Sequence, residues 1–266
     1  MTDDVATPER RGAGTTAHLS VEAGIATITL DSPHNRNALS RQLVTELFDR
    51  LEAAAADPAV RAVVLTHTGG TFCAGADLSE AAAGGMAEGT AALLRLLRTI
   101  VALPKPVVAR IDGNARAGGL GLVGACDIAV ASEKSTFAFT EARLGLAPAI
   151  ISLTVLPRLD ARAAGRYFLT GEKFDGAVAA QVGLVTFSAP DVDAALGDIL
   201  GGLRAGSPQG LAESKKLVTA EVLQELDEHG EAMGELSARL FASDEAREGM
   251  VSFLERRPPR WATDRS

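Results

Sequence analysis

The sequence predicts an α/β protein with a helical C-terminal region, and three observations carry that prediction. Short apolar runs at Ile25–Leu30, Val63–Thr66, Pro106–Ile111 and Ile128–Ala131 read as strands and alternate with helix-spaced segments. Two glycine-bearing loops, Phe72–Leu78 and Asp112–Asp127, each follow such a strand and run into helix-like sequence. Beyond about Ala205 strand signals give way to helical ones.

Taken in order, residues 1–16 are polar and are expected to be a disordered leader. His18–Glu22 and Ile25–Leu30 flank Ala23-Gly24 as a β-hairpin. The turn Ser32-Pro33-His34-Asn35-Arg36-Asn37 follows. A helix then starts at Ser40, its N-cap, with Leu43, Leu47 and Leu51 on one stripe. Asp77 opens a short helix, and the Ala/Gly stretch Ala81–Gly89 is expected to be mobile. A firmer helix spans about Thr90 to Leu103, stopped by Pro104. Strand Ile128–Ala131 and the segment Thr136–Phe139 follow the glycine-rich stretch. Gln209–Leu226, Glu231–Phe241 and Asp244–Arg256 are expected as three helices. The expected organisation is a leader (1–16), an α/β core (17–205) and a helical region (206–266), with no sequence repeat or linker.

A chain of 266 residues can bury a large core, and 47% hydrophobic with 23% charged residues is a globular composition. The net charge of −8 argues against nucleic acid as a partner. No apolar run reaches spanning length, and the polar start does not resemble a signal peptide, so no membrane role is expected. Two cysteines, Cys73 and Cys126, are too few for a disulfide scaffold, and a reduced cytoplasmic setting is expected. Cys73 has no basic neighbour to lower its thiol pKa and reads as a packed residue, not a nucleophile. His18, His34, His67 and His229 lack metal-ligand spacing and read as surface or turn residues, so neither a metal nor a redox cofactor is expected.

Gly119-Leu120-Gly121-Leu122-Val123-Gly124 has the spacing of a dinucleotide fingerprint. That motif needs its first glycine in the turn directly after a strand, whereas the apolar run ends at Ile111. Neither a phosphate loop nor a Gly-x-Ser-x-Gly elbow is present. The alternative is that each loop offers one backbone N–H, from Ala76 and Gly118, to a single carbonyl oxygen. Such an oxyanion hole is a large electrostatic term in catalysis, and a helix N-terminus behind each donor favours the developing charge.

Together the loops resemble a known family. Phe72-Cys73-Ala74-Gly75-Ala76-Asp77-Leu78, Ile111-Asp112-Gly113-Asn114-Ala115-Arg116-Ala117-Gly118-Gly119 and Cys126-Asp127-Ile128 are similar in order and spacing to the enoyl-CoA hydratase/isomerase (crotonase) family. The resemblance continues through Thr136–Glu141, Leu144–Pro148, Leu169–Gly171 and Glu248–Leu254. It implies a spiral of ββα turns, a C-terminal helical oligomerisation region, a homotrimer or a hexamer built as a dimer of trimers, and an acyl-CoA substrate. Coenzyme A would then be part of the substrate and no separate cofactor is needed. The resemblance also implies coenzyme A contacts at Asn37, Ala38, Leu39, Ala74, Gly75, Ala76, Asp77, Leu78 and Gly118. Phe253 and Arg256 match an aromatic and basic pair that a neighbouring subunit often supplies.

Two-glutamate hydratases of the family carry a first Glu where this chain has Gly121 and a second where it has Glu141. A single Glu beside an intact hole is similar to bacterial 3-methylglutaconyl-CoA hydratases, which share the Leu144–Ser152 pattern. The expected reaction is hydration and dehydration of an α,β-unsaturated acyl-CoA through an enolate, with Glu141 as acid/base. The alternatives are a Δ3-Δ2-enoyl-CoA isomerase, for which one Glu suffices, and a catalytically weak acyl-CoA-binding homologue.

Overall fold

A computed structural model describes residues 14–82 and 86–262, with the side chains of 81–87 outside the description. Of the expected leader, 1–13 lie outside the described residues. Thr16 is buried, and the amides of Thr16 and Ala17 donate to the Glu46 carboxylate at 2.6 and 2.9 Å.

The hairpin forms as expected. β1 (Ala17–Glu22) and β2 (Ile25–Leu30) pair antiparallel across Ala23 and Gly24, whose φ values of 47° and 78° suit a two-residue turn between twisted strands. A 3-10 turn (Pro33–Asn35) leads to α1 (Arg41–Ala56), where the Ser40 hydroxyl accepts from the Leu43 amide and Leu43, Leu47 and Leu51 are buried. Then come β3 (Ala62–His67), β4 (Thr71–Cys73), α2 (Leu78–Ala82), α3 (Met86–Ala102), β5 (Val107–Ile111), β6 (Asn114–Arg116) and α4 (Gly118–Ala125). They are followed by β7 (Ile128–Ser132), β8 (Thr136–Ala138), a 3-10 turn (Glu141–Leu144), α5 (Ala149–Val155), α6 (Ala161–Thr170), β9 (Phe174–Asp175) and α7 (Gly176–Gln181). β10 (Phe187–Ala189), α8 (Val192–Ala205), α9 (Pro208–Phe241) and α10 (Asp244–Leu254) complete the chain.

Two helical expectations change. The stretch expected to be mobile falls partly on 83–85, outside the described residues, and α3 is already helical from Met86. Gly89 tolerates helix at a propensity cost of about 1 kcal/mol, which the burial of Leu96, Leu97, Ile100 and Val101 offsets. The two helices expected before and after residue 230 are one helix, α9. Gly230 is a packing site, since a Cβ there would stand 3.0 Å from the Leu94 side chain of α3.

Ten strands form two sheets among the described residues. The larger has the order β1-β2-β3-β5-β7-β10, and the smaller β4-β6-β8-β9. Successive pairs β3/β4, β5/β6 and β7/β8 each place their first strand in the larger sheet and their second in the smaller. That alternation is the ββα spiral. In the larger sheet the side chains alternate between two cores: Val63, Leu65, Val107 and Ala109 face the main core, while Ala62, Val64, Val108 and Val130 pack beneath α8 on Val192 and Leu196. α9 adds Val222 and Leu226 to the main core. Among the described residues no helix is long and apolar enough to cross a membrane.

Candidate active site

The smaller sheet positions the site. β4, β6 and β8 are adjacent and parallel, with Cys73 opposite Ala115 and Arg116 opposite Ala138. All three therefore end on the same side. Ala76 lies three residues beyond the end of β4, Gly118 two beyond β6, and Glu141 three beyond β8. Neighbouring strands are about 4.8 Å apart, so the three strand ends span roughly 10 Å. Ligands of parallel sheets sit beyond such carboxyl ends.

The first two loops touch through backbone. Gly75 has φ +92°, and a Cβ on it would stand 2.8 Å from the Ala117 Cβ and 3.2 Å from the Gly118 nitrogen. Only glycine permits both the conformation and the approach. Across the contact Ala117 has φ 46°, an uncommon conformation for a residue with a side chain, and it turns the chain into α4. Gly118 opens α4, so its N–H has no acceptor within the helix, whose dipole favours negative charge there.

The turn before α1 closes a third side. The Leu39 amide donates to the Gly75 carbonyl at 2.8 Å, Ala74 N–H donates to the Arg36 carbonyl at 3.1 Å, and Leu39 bridges Ala76. A Cβ on Gly118 would stand 2.9 Å from the Leu39 side chain. The buried Asn37 donates to the carbonyls of Thr68 (3.1 Å) and Thr71 (2.7 Å) and accepts from Ser32 N–H at 2.6 Å. That side chain pins the turn, with the buried Ala38 beside it. Asp77 caps α2 by accepting from Ser79 and Glu80 and takes a further bond from Asn35. Burial opposes its ionisation, but the bonds from Ser79 and Asn35 outweigh burial and hold its carboxyl below the ordinary range. Leu78 begins α2. Of the candidates for binding, 37–39, 74–78 and Gly118 are thus brought together.

Glu141 is buried, 8% exposed, and its Oε2 has no hydrogen-bond partner. Removal from water pushes its carboxyl up to about 7. A helix-start carboxylate serving as a cap would face solvent; this one is buried, and a hydrogen bond from its own backbone amide only partly offsets that burial. A buried carboxyl poised near neutrality can take and return a proton.

Other candidates settle differently. A Cβ on Gly121 would stand 2.6 Å from Ile151 Cγ2 and 3.3 Å from Leu97 Cδ1, so Ile151 occupies the room a longer side chain would need. α4 is buried throughout, and its Gly119 rests against the Cys73 carbonyl, so the fingerprint-like spacing serves close packing. β6 does reach to within two residues of Gly118, a strand too short to be read in the sequence. Cys73 is fully buried, and burial pushes its thiol up to about 12, the state of a packed residue. Phe253 is 55% exposed and Arg256 is exposed with φ 56°; among the described hydrogen bonds and ring contacts neither meets the two loops.

His67, expected on a surface or turn, is half-buried at the end of β3. Its Nε2 accepts from Asp112 N–H at 3.1 Å, its ring stands edge-on to Phe72 at 5.7 Å, and burial lowers its pKa, favouring the neutral acceptor. It therefore links the strands leading to both loops. Among the described residues no group of three or more His, Cys, Asp or Glu is placed to hold a metal.

Comparison with known proteins bears on the family and the fold. The enoyl-CoA hydratase/isomerase family profile matches residues 20–264. A crystal structure of an enoyl-CoA hydratase from Mycobacterium avium is 56% identical, covers 94% of this chain and 100% of its own, and superposes with a TM-score of 0.88. An enoyl-CoA hydratase of Alternaria alternata is 32% identical over 249 residues, 92% of this chain and 83% of that protein. A carnitinyl-CoA hydratase structure from Mycobacterium avium is 28% identical, covering 94% and 99% of the two chains, with a TM-score of 0.82.

Proposed function

The chain belongs to the enoyl-CoA hydratase/isomerase family, and from that premise we propose that it hydrates α,β-unsaturated acyl-CoA thioesters and dehydrates the products. Backbone N–H groups of Ala76 and Gly118 hold the thioester oxygen. Glu141 takes a proton from water as the oxygen adds at C3, and the displaced π electrons become an enolate. Glu141 then returns the proton to C2 on the same face. One water is consumed and the carboxylate is regenerated.

The observation that carries this reading is the buried carboxyl of Glu141, its Oε2 without a hydrogen-bond partner, at the end of the strand beside the glycine-joined loops. Coenzyme A enters as part of the substrate, along 37–39 and 74–78. Phe253 and Arg256 would serve a nucleotide from their exposed positions. We read the assembly as a homotrimer or a hexamer, supported by Leu217 and Val218 of α9, 81% and 67% exposed.

Replacing Glu141 with Gln keeps the shape and removes the proton carrier, and general acid–base catalysis is worth about 10²–10⁴-fold. Turnover of crotonyl-CoA and 3-methylglutaconyl-CoA should fall by that amount; parental turnover would end the assignment. A Δ3-Δ2 isomerase is the second reading, favoured by the packing of Ile151 against Gly121, which leaves one carboxylate. A 3-enoyl-CoA shifted to the 2-enoyl isomer without water uptake would support it.

A further inference from the structure

The 3-10 turn that opens with Glu141 packs between α6 and α10. Its contact with α10 is backbone against backbone. A Cβ on Gly249, within α10, would stand 2.3 Å from the Leu144 carbonyl oxygen and 2.5 Å from its carbon. Gly145, the left-handed residue that closes the turn at φ 71°, meets the start of α10: a Cβ there would stand 2.7 Å from the Glu245 carbonyl carbon and 2.9 Å from the Ala246 nitrogen. Ala246 is fully buried in the same contact. After α10 the chain folds back, with Arg257 bonding both Glu248 oxygens at 2.6 and 3.0 Å and Arg260 N–H adding a third bond at 3.0 Å.

A four-residue turn, held by Arg143 N–H on the Thr140 carbonyl at 3.1 Å and by the N–H groups of Gly145 and Leu146 on the Glu141 carbonyl, is too short to fix its own place in the fold. A contact that exists only because two side chains are missing has no slack, and packed interiors transmit displacement instead of absorbing it. Resting on the acid/base reading of Glu141, we propose that α10 is the positioning element of that residue: Gly249 on Leu144 and Gly145 on Glu245 fix the turn that carries the carboxyl. Through this seat the C-terminal helix acts on the chemistry of its own chain, apart from any contact its exposed Phe253 makes with a nucleotide. A shift of this seat moves the carboxyl relative to the reacting carbons and admits water beside it.

The test compares Gly249→Ala with Gly234→Ala, a helical glycine of α9 with open space around it. Misplacement on the ångström scale can cost about a hundredfold, so Gly249→Ala should lose at least about tenfold in kcat, with KM within about twofold. The low-pH limb of the rate profile, set by Glu141, should move to lower pH as water reaches the carboxyl. Gly234→Ala should superimpose on the parent. If Gly249→Ala does not fold, Ala246→Gly loosens the same contact without a clash and should change kcat and the limb in the same directions, by less. A folded Gly249→Ala or Ala246→Gly with parental kcat and an unmoved limb, alongside an inactive Glu141→Gln, overturns the proposal. Parental turnover by Glu141→Gln would instead remove the acid/base reading, and the proposal with it.

Discussion

At the residue scale the site turns on one carboxyl that would be more comfortable in water. Burial raises the Glu141 pKa from 4.5 to about 7, which means that folding favours its protonated form. The associated stability is present in full below pH 4.5 and is lost as pH rises through about 7, at which point the folded chain holds an ionised, buried carboxylate whose Oε2 has no hydrogen-bond partner. A shift of that size corresponds to roughly 3 kcal/mol. Glu141→Gln should therefore melt higher than the parent at pH 8, and the gap should close by pH 5; equal melting at both would show that the carboxyl is hydrated. For hydration the ionised form starts the reaction, so kcat/KM should fall as pH drops through about 7. The sequence made Glu141 legible through its place after Thr136–Phe139. It could not show the burial, which comes from tertiary packing. His67 was illegible for a related reason: its role lies in a bond to Asp112, 45 residues away.

At the element scale the glycines of α4 decide how closely helix and strand approach. A Cβ on Gly119 would stand 2.5 Å from the Cys73 carbonyl oxygen, and one on Gly124 2.7 Å from the Thr154 carbonyl oxygen of α5. The Thr154 hydroxyl in turn donates to the Gly121 carbonyl at 3.1 Å. Gly124→Ala should cost about 1–3 kcal/mol by forcing two backbones apart. Gly201→Ala in α8, where nothing lies within 4 Å, should instead gain about 0.5–1 kcal/mol of helix propensity. Denaturant midpoints moving in opposite directions would bear this out, and a neutral Gly124→Ala would refute it. Elements with their own periodic signal, such as the hairpin and α1, were legible in the sequence. β4 and β6, three residues each, were not, because too few positions exist to show an alternation. The expected gap between the helices Gln209–Leu226 and Glu231–Phe241 does not exist, and Gly230 within it is where the continuous α9 meets α3.

At the scale of the whole molecule the question is what joins the helical C-terminal region to the spiral. One buried lysine carries much of that joint. Lys215 of α9, 4% exposed, donates to the Ile100 carbonyl at 2.9 Å, to the Lys105 carbonyl at 3.1 Å and to Asp127 Oδ2 at 2.9 Å. Asp127 Oδ2 also accepts from Val107 N–H at 2.7 Å. A single ammonium thus ties α9 to the end of α3, the start of β5 and the exit of the glycine-rich stretch, with all three of its protons used. Burial holds its pKa below the ordinary lysine value, against the pull of Asp127. Nothing local in the sequence separates Lys215 from Lys216, which is exposed and paired with Glu213. The spiral was equally hidden from a residue-by-residue reading, because its repeat is one of topology and the chain has no matching sequence period. Lys215→Met keeps the length of the side chain but leaves Asp127 buried without its cation, which should cost about 3–5 kcal/mol. Lys215→Met with Asp127→Asn removes both charges and should recover part of that loss. If the double variant is no more stable than the single one, the cost lies in the bonds to Ile100 and Lys105, and the joint is made of hydrogen bonds and not of paired charge.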